Sequence, residues 1–301
     1  MSAPVDLHAQ AAIAHWSWTI AWFLWFVGIA GMGSVAYVFV RRAALAYVIF
    51  GSLAVGIGLV TGHLSRWWNL PRVLFNMVVH GTTNWGSWML IGTVLLTVHL
   101  FLALVPVLAH LECARRFRWL DWTRSLQTGT VYLGVFAGVG FMVTVYSGFL
   151  ISDAAGIPLW NTALIPVLWV ISSSVATIAV LELCHLFGGL DERVSHFSLR
   201  LGIGLDALKL FAVLAFLHVS LSVGSTGARL AATEMVSGRY ALMTWLGVIS
   251  VGILIPLALG LRTVWRGPRK PLLFVSAVSA LTGALLLRAV VLLAGVFEPL
   301  A

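Results

Sequence analysis

Charge is scarce in this chain. Asp, Glu, Lys and Arg together make up 9% of its 301 residues, whereas soluble domains carry about 25%. Cysteine is rarer still: Cys113 and Cys184 stand alone, in different segments and without a CxxC. That count excludes a disulfide framework, a zinc site and a resident iron–sulfur cluster. Acidic residues number ten against 18 basic ones, yet the positive charges are scattered over short segments and build no basic domain, so no nucleic-acid partner is expected. The N-terminal 15 residues lack a basic cluster and lead into a full-length apolar run, so no cleavable signal peptide is expected. No internal repeat or low-complexity segment stands out.

Apolar residues are abundant, at 60% of the chain, and the mean hydropathy is +1.01. A soluble fold of this size has too little interior to hide them. A bilayer-crossing helix needs about 20 apolar residues, and that ruler predicts spans over 16–40, 43–64, 84–110, 128–150, 162–186, 203–224, 240–262 and 271–297. The segments are too long for lipid-facing barrel strands. The expected fold class is an all-α polytopic membrane protein, one integral domain over 1–301 with eight transmembrane helices. The four-residue spacing of Gly58 and Gly62, and of Gly134 and Gly138, reads as close helix packing.

Eight spans put both termini on one side, with the segments near 65–83, 151–161 and 225–239. Arg66, Arg72, Arg229 and Arg239 lie there. The other side receives Arg41, Arg42, Arg115, Arg116, Arg118, Arg124, Arg193, Arg200, Lys209, Arg262, Arg266, Arg269 and Lys270, leaving Arg288 inside a span. Positive charge stays cytoplasmic, so both termini are expected to be periplasmic, in a bacterial inner membrane.

Ionisable groups within spans are costly and mark candidate sites. His63 closes the second span on the outer side, and Asn84 and Trp85 open the third. Tyr146 lies about 27 Å, His218 about 22 Å and Arg288 about 26 Å above the cytoplasmic starts of their helices, at 1.5 Å per residue. Asp153 follows the fourth span, and His15 precedes the first. Polar groups from several helices thus share the outer third of the membrane, as a pocket for a small amphiphilic ligand requires. His63 alone reads equally well as a side chain reaching headgroup water, and His15 as a helix cap, whereas Arg288 at its depth needs a partner or water. An inner set comprises His99, Glu182, His185, Asp206 and Lys209. The spacing of Asp206 and Lys209 predicts an intrahelical ion pair; the alternative for the set is a proton inlet from the cytoplasm. His63 and His218 share a depth suited to haem, but no second matched pair completes a ladder, so no haem is expected.

Residues 62–75, GHLSRWWNLPRVLF, are followed by NWGSWMLIG at 84–92. This pattern resembles the NrfD-type membrane subunit of polysulfide reductase and its relatives, in which Leu-Gly-Arg-Pro is followed by a Ser-Trp-Gly-x-Trp helix start. YSGFLISDAAGIPLWNT at 146–162 and GRYALMTWLGVISVGILIPLAL at 238–259 resemble the family's fourth-to-fifth-helix connection and its seventh helix. Here Leu64-Ser65-Arg66-Trp67 replaces Leu-Gly-Arg-Pro, and His63 stands where some members have an acidic residue.

The resemblance implies the membrane anchor of a respiratory molybdopterin oxidoreductase complex. Such an anchor exchanges electrons with menaquinone or ubiquinone and holds no metal itself. Its implied partners are a ferredoxin-like subunit with four iron–sulfur clusters and a molybdenum or tungsten catalytic subunit, docked on the periplasmic face. On that reading His63 binds a quinone oxygen and exchanges its proton, Tyr146 donates to a ring oxygen and Asp153 carries protons locally. Arg66 and Asn84 hold the loop or ligand, with Trp85, His218, Arg288 and His15 within the same pocket. Trp67, Trp68, Trp85 and Trp88 flank this loop, where belt residues are also ordinary. Terminal-substrate chemistry would belong to another chain. The rival reading is a secondary transporter or proton-translocating protein.

Overall fold

The structure is a computed structural model that describes residues 16–63, 86–112, 117–188 and 192–298, with a few positions between 72 and 80. Long apolar runs become helices because a helix satisfies its own backbone donors and acceptors where no water is at hand. In chain order these are α1 (Trp18–Tyr37), α2 (Ala43–His63), α3 (Trp88–His110), the short α4 (Trp122–Leu126), α5 (Thr130–Ser152), α6 (Leu164–Leu186), α7 (Glu192–Ser222) and α8 (Thr226–Val236). A π-helical segment, Met243–Leu254, then runs into α9 (Ile255–Arg266), and α10 (Lys270–Leu293) follows. Eight of these helical stretches are long and apolar enough to cross a membrane, with the π-helical segment and α9 forming one. The chain is an all-α, multi-pass integral membrane protein.

The helices group as two sets of four. In the first, α1 packs on α2 and α5, α3 packs on both of these, and α5 leads into α6. In the second, α6 packs on α7 and α10, and α10 lies against the π-helical segment and α9. Helix α1 also touches α6 and α10 and so joins the sets. The most enclosed helices are α6 and α10, 78% and 72% buried, whereas α2 is 33% buried and offers most of its surface to lipid.

Hydrogen bonds show which ends lie together. Tyr37 Oη donates to Gln127 Oε1 at 3.0 Å and meets His110 Nε2 at 3.1 Å, gathering α1, α3 and the approach to α5 at the basic end. At the other end the Glu298 N–H donates to Gly156 O, while Glu298 Oε2 accepts from Ser225 Oγ and the Gly227 N–H at the start of α8. Trp160 Nε1 donates to Val291 O at 2.8 Å, fixing the α5–α6 connection to α10.

Four sequence expectations change. The glycines at 58, 62, 134 and 138 face open space, because spacing does not say which face meets a neighbour. The close approaches are elsewhere: a Cβ on Gly31 would collide with Thr144 and Gly140, and one on Gly252 with the Gly283 backbone. Residues 225–239, expected as a loop, contain α8, whose buried Ala228, Ala231, Ala232 and Met235 have amphipathic spacing. Lys209 does not belong with the loop charges: α7 begins at Glu192, well before the expected 203, so Lys209 lies deep in the bundle and is fully buried. The Asp206–Lys209 ion pair does not form within 4 Å among the described residues; Lys209 Nζ donates instead to Gly252 O at 3.2 Å.

Candidate functional site

At the end of the bundle that holds residue 298, α3 and α5 meet without space for side chains on both. Gly92 of α3 lies against the Tyr146 ring, so that a Cβ there would collide with Cζ and the hydroxyl. One turn above, Trp88 stacks on Phe149 with centroids 4.9 Å apart and planes 10° from parallel. On the other flank of α5, Gly148 lets Pro166 of α6 approach closely. These contacts fix the Tyr146 ring, which is 5% exposed. Its hydroxyl makes no hydrogen bond to any described residue.

Asp153 caps α5 through its backbone, and its side chain is exposed. Asn161 Nδ2 donates to Ser152 O at 3.0 Å and closes the connection on itself. His63 is exposed at the last residue of α2. Tyr146, Asp153 and His63 therefore lie at the same end of the molecule, on α5 and α2, with α3 packed against the Tyr146 ring at Gly92. No hydrogen bond joins them to one another among the described residues. Arg66, Asn84, Trp85 and His15 lie outside the described residues, as do Trp67, Trp68 and Cys113.

Arg288 is elsewhere. It is fully buried, and its guanidinium turns back along α10: Nη1 donates to Ala284 O at 2.8 Å and to Ser172 Oγ at 3.1 Å, and Nη2 donates to Ser173 Oγ at 2.7 Å. Its Cζ lies 5.4 Å from the centroid of the Trp169 ring. Gly28 of α1 closes the same space, since a Cβ there would meet both Ser173 and Arg288. Arg288 thus locks α1, α6 and α10 together near mid-bundle. His218 faces outward on α7 and is exposed, so the structure brings it to neither Tyr146 nor Arg288.

Sequence reasoning missed Ser172, Ser173 and Trp169, small or apolar residues in a continuous apolar run. It also missed the π-helical segment, although Pro256 left a trace. In an α-helix the Gly252 carbonyl would accept from the N–H of residue 256, and proline has none. Lys209 supplies a donor there. His99, expected with the inner set, sits on the opposite side of the bundle, fully buried, with Nε2 2.7 Å from Ser34 Oγ and its ring against Phe136. Among the described residues no three His, Cys, Asp or Glu side chains converge to hold a metal ion.

Comparisons with known proteins match this architecture over nearly its whole length. The family model described as "Polysulphide reductase, NrfD" matches residues 6–299. Protein NrfD of Escherichia coli K12 is 27% identical over 315 aligned positions, covering 93% of this sequence and 94% of its own. The C component of the polysulfide reductase of Wolinella succinogenes is 26% identical, covering 93% of this sequence and 94% of its own. A protein NrfD homolog of Haemophilus influenzae is 26% identical over 279 positions, covering 84% and 85% respectively.

Proposed function

The chain belongs to the polysulphide reductase NrfD family, and from that premise we propose that it is the quinone-reactive membrane anchor of a respiratory oxidoreductase complex. One relative is named as a single lettered component of a reductase, which supports a subunit role here too. The proposed partners are a ferredoxin-like iron–sulfur subunit with four 4Fe–4S clusters and, beyond it, a molybdopterin subunit carrying molybdenum or tungsten. Menaquinone or ubiquinone would supply the two-electron, two-proton chemistry when bound.

The observation that carries this reading is the Tyr146 side chain: its ring is buried and packed closely against Gly92, and its hydroxyl has no protein partner among the described residues. A quinone oxygen is the kind of acceptor it lacks. Tyr146 would donate to that oxygen, and the stacked Trp88 and Phe149 would keep water from the α5 side. His63, at the exposed end of α2, would take or give the proton, as an imidazole can. Asp153, exposed at the end of α5, would pass it to bulk water. Arg66, Asn84, Trp85 and His15 belong to this proposal through the sequence alone. Arg288 and His218 are left out of it, because neither is directed toward Tyr146.

Tyr146→Phe keeps the ring and removes the donor, so quinone turnover by the intact complex is expected to fall about tenfold. His63→Ala removes both a hydrogen bond and a proton carrier, for a loss of roughly 10- to 150-fold. Partner retention in each variant checks assembly. Parental turnover in both assembled variants would place the ring elsewhere.

The proposal includes an orientation. With Lys209 withdrawn from the loop charges, twelve positive residues still oppose four, so the basic end is cytoplasmic and the partners dock on the periplasmic end. A reporter that works only in the periplasm, fused after Ala301, is expected to be active. Activity of a cytoplasm-restricted reporter at the same position would reverse the assignment.

A further inference from the structure

The basic end of the second helix set contains groups that the quinone reading does not use. A cleft of about 290 Å³ opens there, lined by Glu182 and His185 of α6, His196 and Arg200 of α7, and Thr263 of α9. At its floor, Glu182 also lines a second, small cavity of about 20 Å³ together with Asp206, Ser276, Gly202, Gly260 and Pro256. A space of that size holds one water. Asp206 is 6% exposed, and its Oδ1 has no hydrogen-bond partner among the described residues. One helical turn further in, Lys209 is fully buried and bound to the Gly252 carbonyl. That carbonyl is available because Pro256 interrupts the helix, and such interruptions are frequent at functional positions.

The order from surface to interior is therefore a polar-lined cleft, a carboxyl, room for one water, a second carboxyl with one oxygen unbonded among the described residues, and a lysine. Ionised groups at such depth need a partner or water. Lys209 has a neutral carbonyl, and Asp206 faces the small cavity. A static ion pair would have closed on itself and needed no cavity. The other charged or titratable groups around the path are His185, His196 and Arg200 at the mouth, Arg262 of α9, whose Nη1 is buried without a partner among the described residues, and Arg288 of α10 beyond Lys209. The π-helical segment contributes no ionisable side chain.

We propose that Glu182 and Asp206 form a proton-loading site, filled from the basic face through this cleft and ending at Lys209. In the loading step a hydronium ion in the cleft transfers its proton to the Glu182 carboxylate and leaves as water. The proton crosses the enclosed water to the Asp206 carboxylate, and Glu182 is free to load again. Arrival of the proton removes the negative charge beside Lys209, so Lys209 feels the protonation state of the site and is attached to the interrupted helix. This device does not depend on the quinone reading, because it opens at the opposite end of the molecule from Tyr146.

The test uses the intact complex in sealed vesicles and the apolar reagent dicyclohexylcarbodiimide. A protonated carboxyl adds across its N=C=N group and rearranges to a stable N-acylurea, which peptide mass spectrometry locates. Label is expected on Glu182 or Asp206, and it should decline as pH rises on the basic face while pH on the other face has no effect. Glu182→Gln should lose its own label and also reduce that on Asp206, whose supply it interrupts. Labelling of parental protein alone keeps the test decisive if variants fail to assemble. Absence of label at every pH, or label indifferent to pH on the basic face, would overturn the proposal. A Tyr146→Phe complex that keeps parental quinone turnover while this labelling pattern persists would remove the quinone reading and leave the loading site standing.

Discussion

Replacing Arg288 with alanine is expected to lower the unfolding midpoint of the purified protein more than any other single truncation in the second helix set. The side chain is fully buried and holds Ser172, Ser173 and the Ala284 carbonyl at once. Truncating a large buried side chain costs about 2–5 kcal/mol through lost contacts and the cavity left behind. Two buried hydroxyls would also lose their donor, at about 1–3 kcal/mol per orphaned group where no water replaces it. The attraction to the Trp169 face, about 2 kcal/mol for a desolvated cation, disappears as well. These contributions overlap and do not add.

Two further substitutions separate the causes. Arg288→Met restores volume but neither charge nor donors, and its midpoint should recover in part. Arg288→Lys keeps the charge, but an ammonium cannot span three acceptors as the planar guanidinium does, so it too should fall short of the parent. Thermal unfolding in detergent, followed by loss of helical signal, reads all three. A parental midpoint for Arg288→Ala would mean that the link between α1, α6 and α10 is carried by packing alone.

The same residue shows what the sequence reveals and what it hides. That Arg288 is significant is legible, since arginine in an apolar run is costly wherever it lies. Its position is not. Counting residues gives the height of the Cα, but side chains on a helix lean toward its N-terminus, and the guanidinium comes to rest beside the carbonyl of Ala284, a full turn lower. Glycines carry a similar ambiguity. Gly134 and Gly138 have the spacing of a packing motif yet face open space, while Gly31 and Gly140, far apart in sequence, are the pair that meets. Spacing defines a stripe on one helix, and only the partner helix decides whether the stripe is used.

The eight spans were legible for a simple reason: a bilayer imposes length and hydropathy on each segment independently of its neighbours. The π-helical segment was not, because apolar composition is the same for α and π turns. Pro256 marks where a carbonyl loses its donor, but that Lys209 replaces it depends on how α7 packs. Similarly, 225–239 carries amphipathic spacing but is too short to read as a span, and its first turn is held by Glu298, 71 residues beyond Gly227. For Tyr146, the sequence supplied the residue and the family likeness, while the reason its ring is immobile lies in Gly92 on another helix.

Gly92→Ala is expected to damage quinone turnover more than removal of the Tyr146 hydroxyl does. Alanine favours a helix over glycine by about 0.5–1 kcal/mol, so α3 itself should form at least as readily. The added Cβ, however, would occupy the space of the Tyr146 ring at Cζ and the hydroxyl. The ring cannot retreat freely, with Trp88 and Phe149 stacked a turn away and Pro166 against Gly148 on the far side of α5. Either the ring swings out of place or α3 and α5 separate. A displacement near 1 Å at a reacting group costs about 100-fold in rate, against about tenfold for the lost hydroxyl in Tyr146→Phe. A double substitution distinguishes this cause from general damage. If Gly92 acts through the ring, Gly92→Ala combined with Tyr146→Ala should turn over quinone no more slowly than Tyr146→Ala alone, since coupled residues do not add. Additive losses would mean that the collision harms the bundle rather than the site, and parental turnover in Gly92→Ala would mean that the position of the Tyr146 ring does not matter to the reaction.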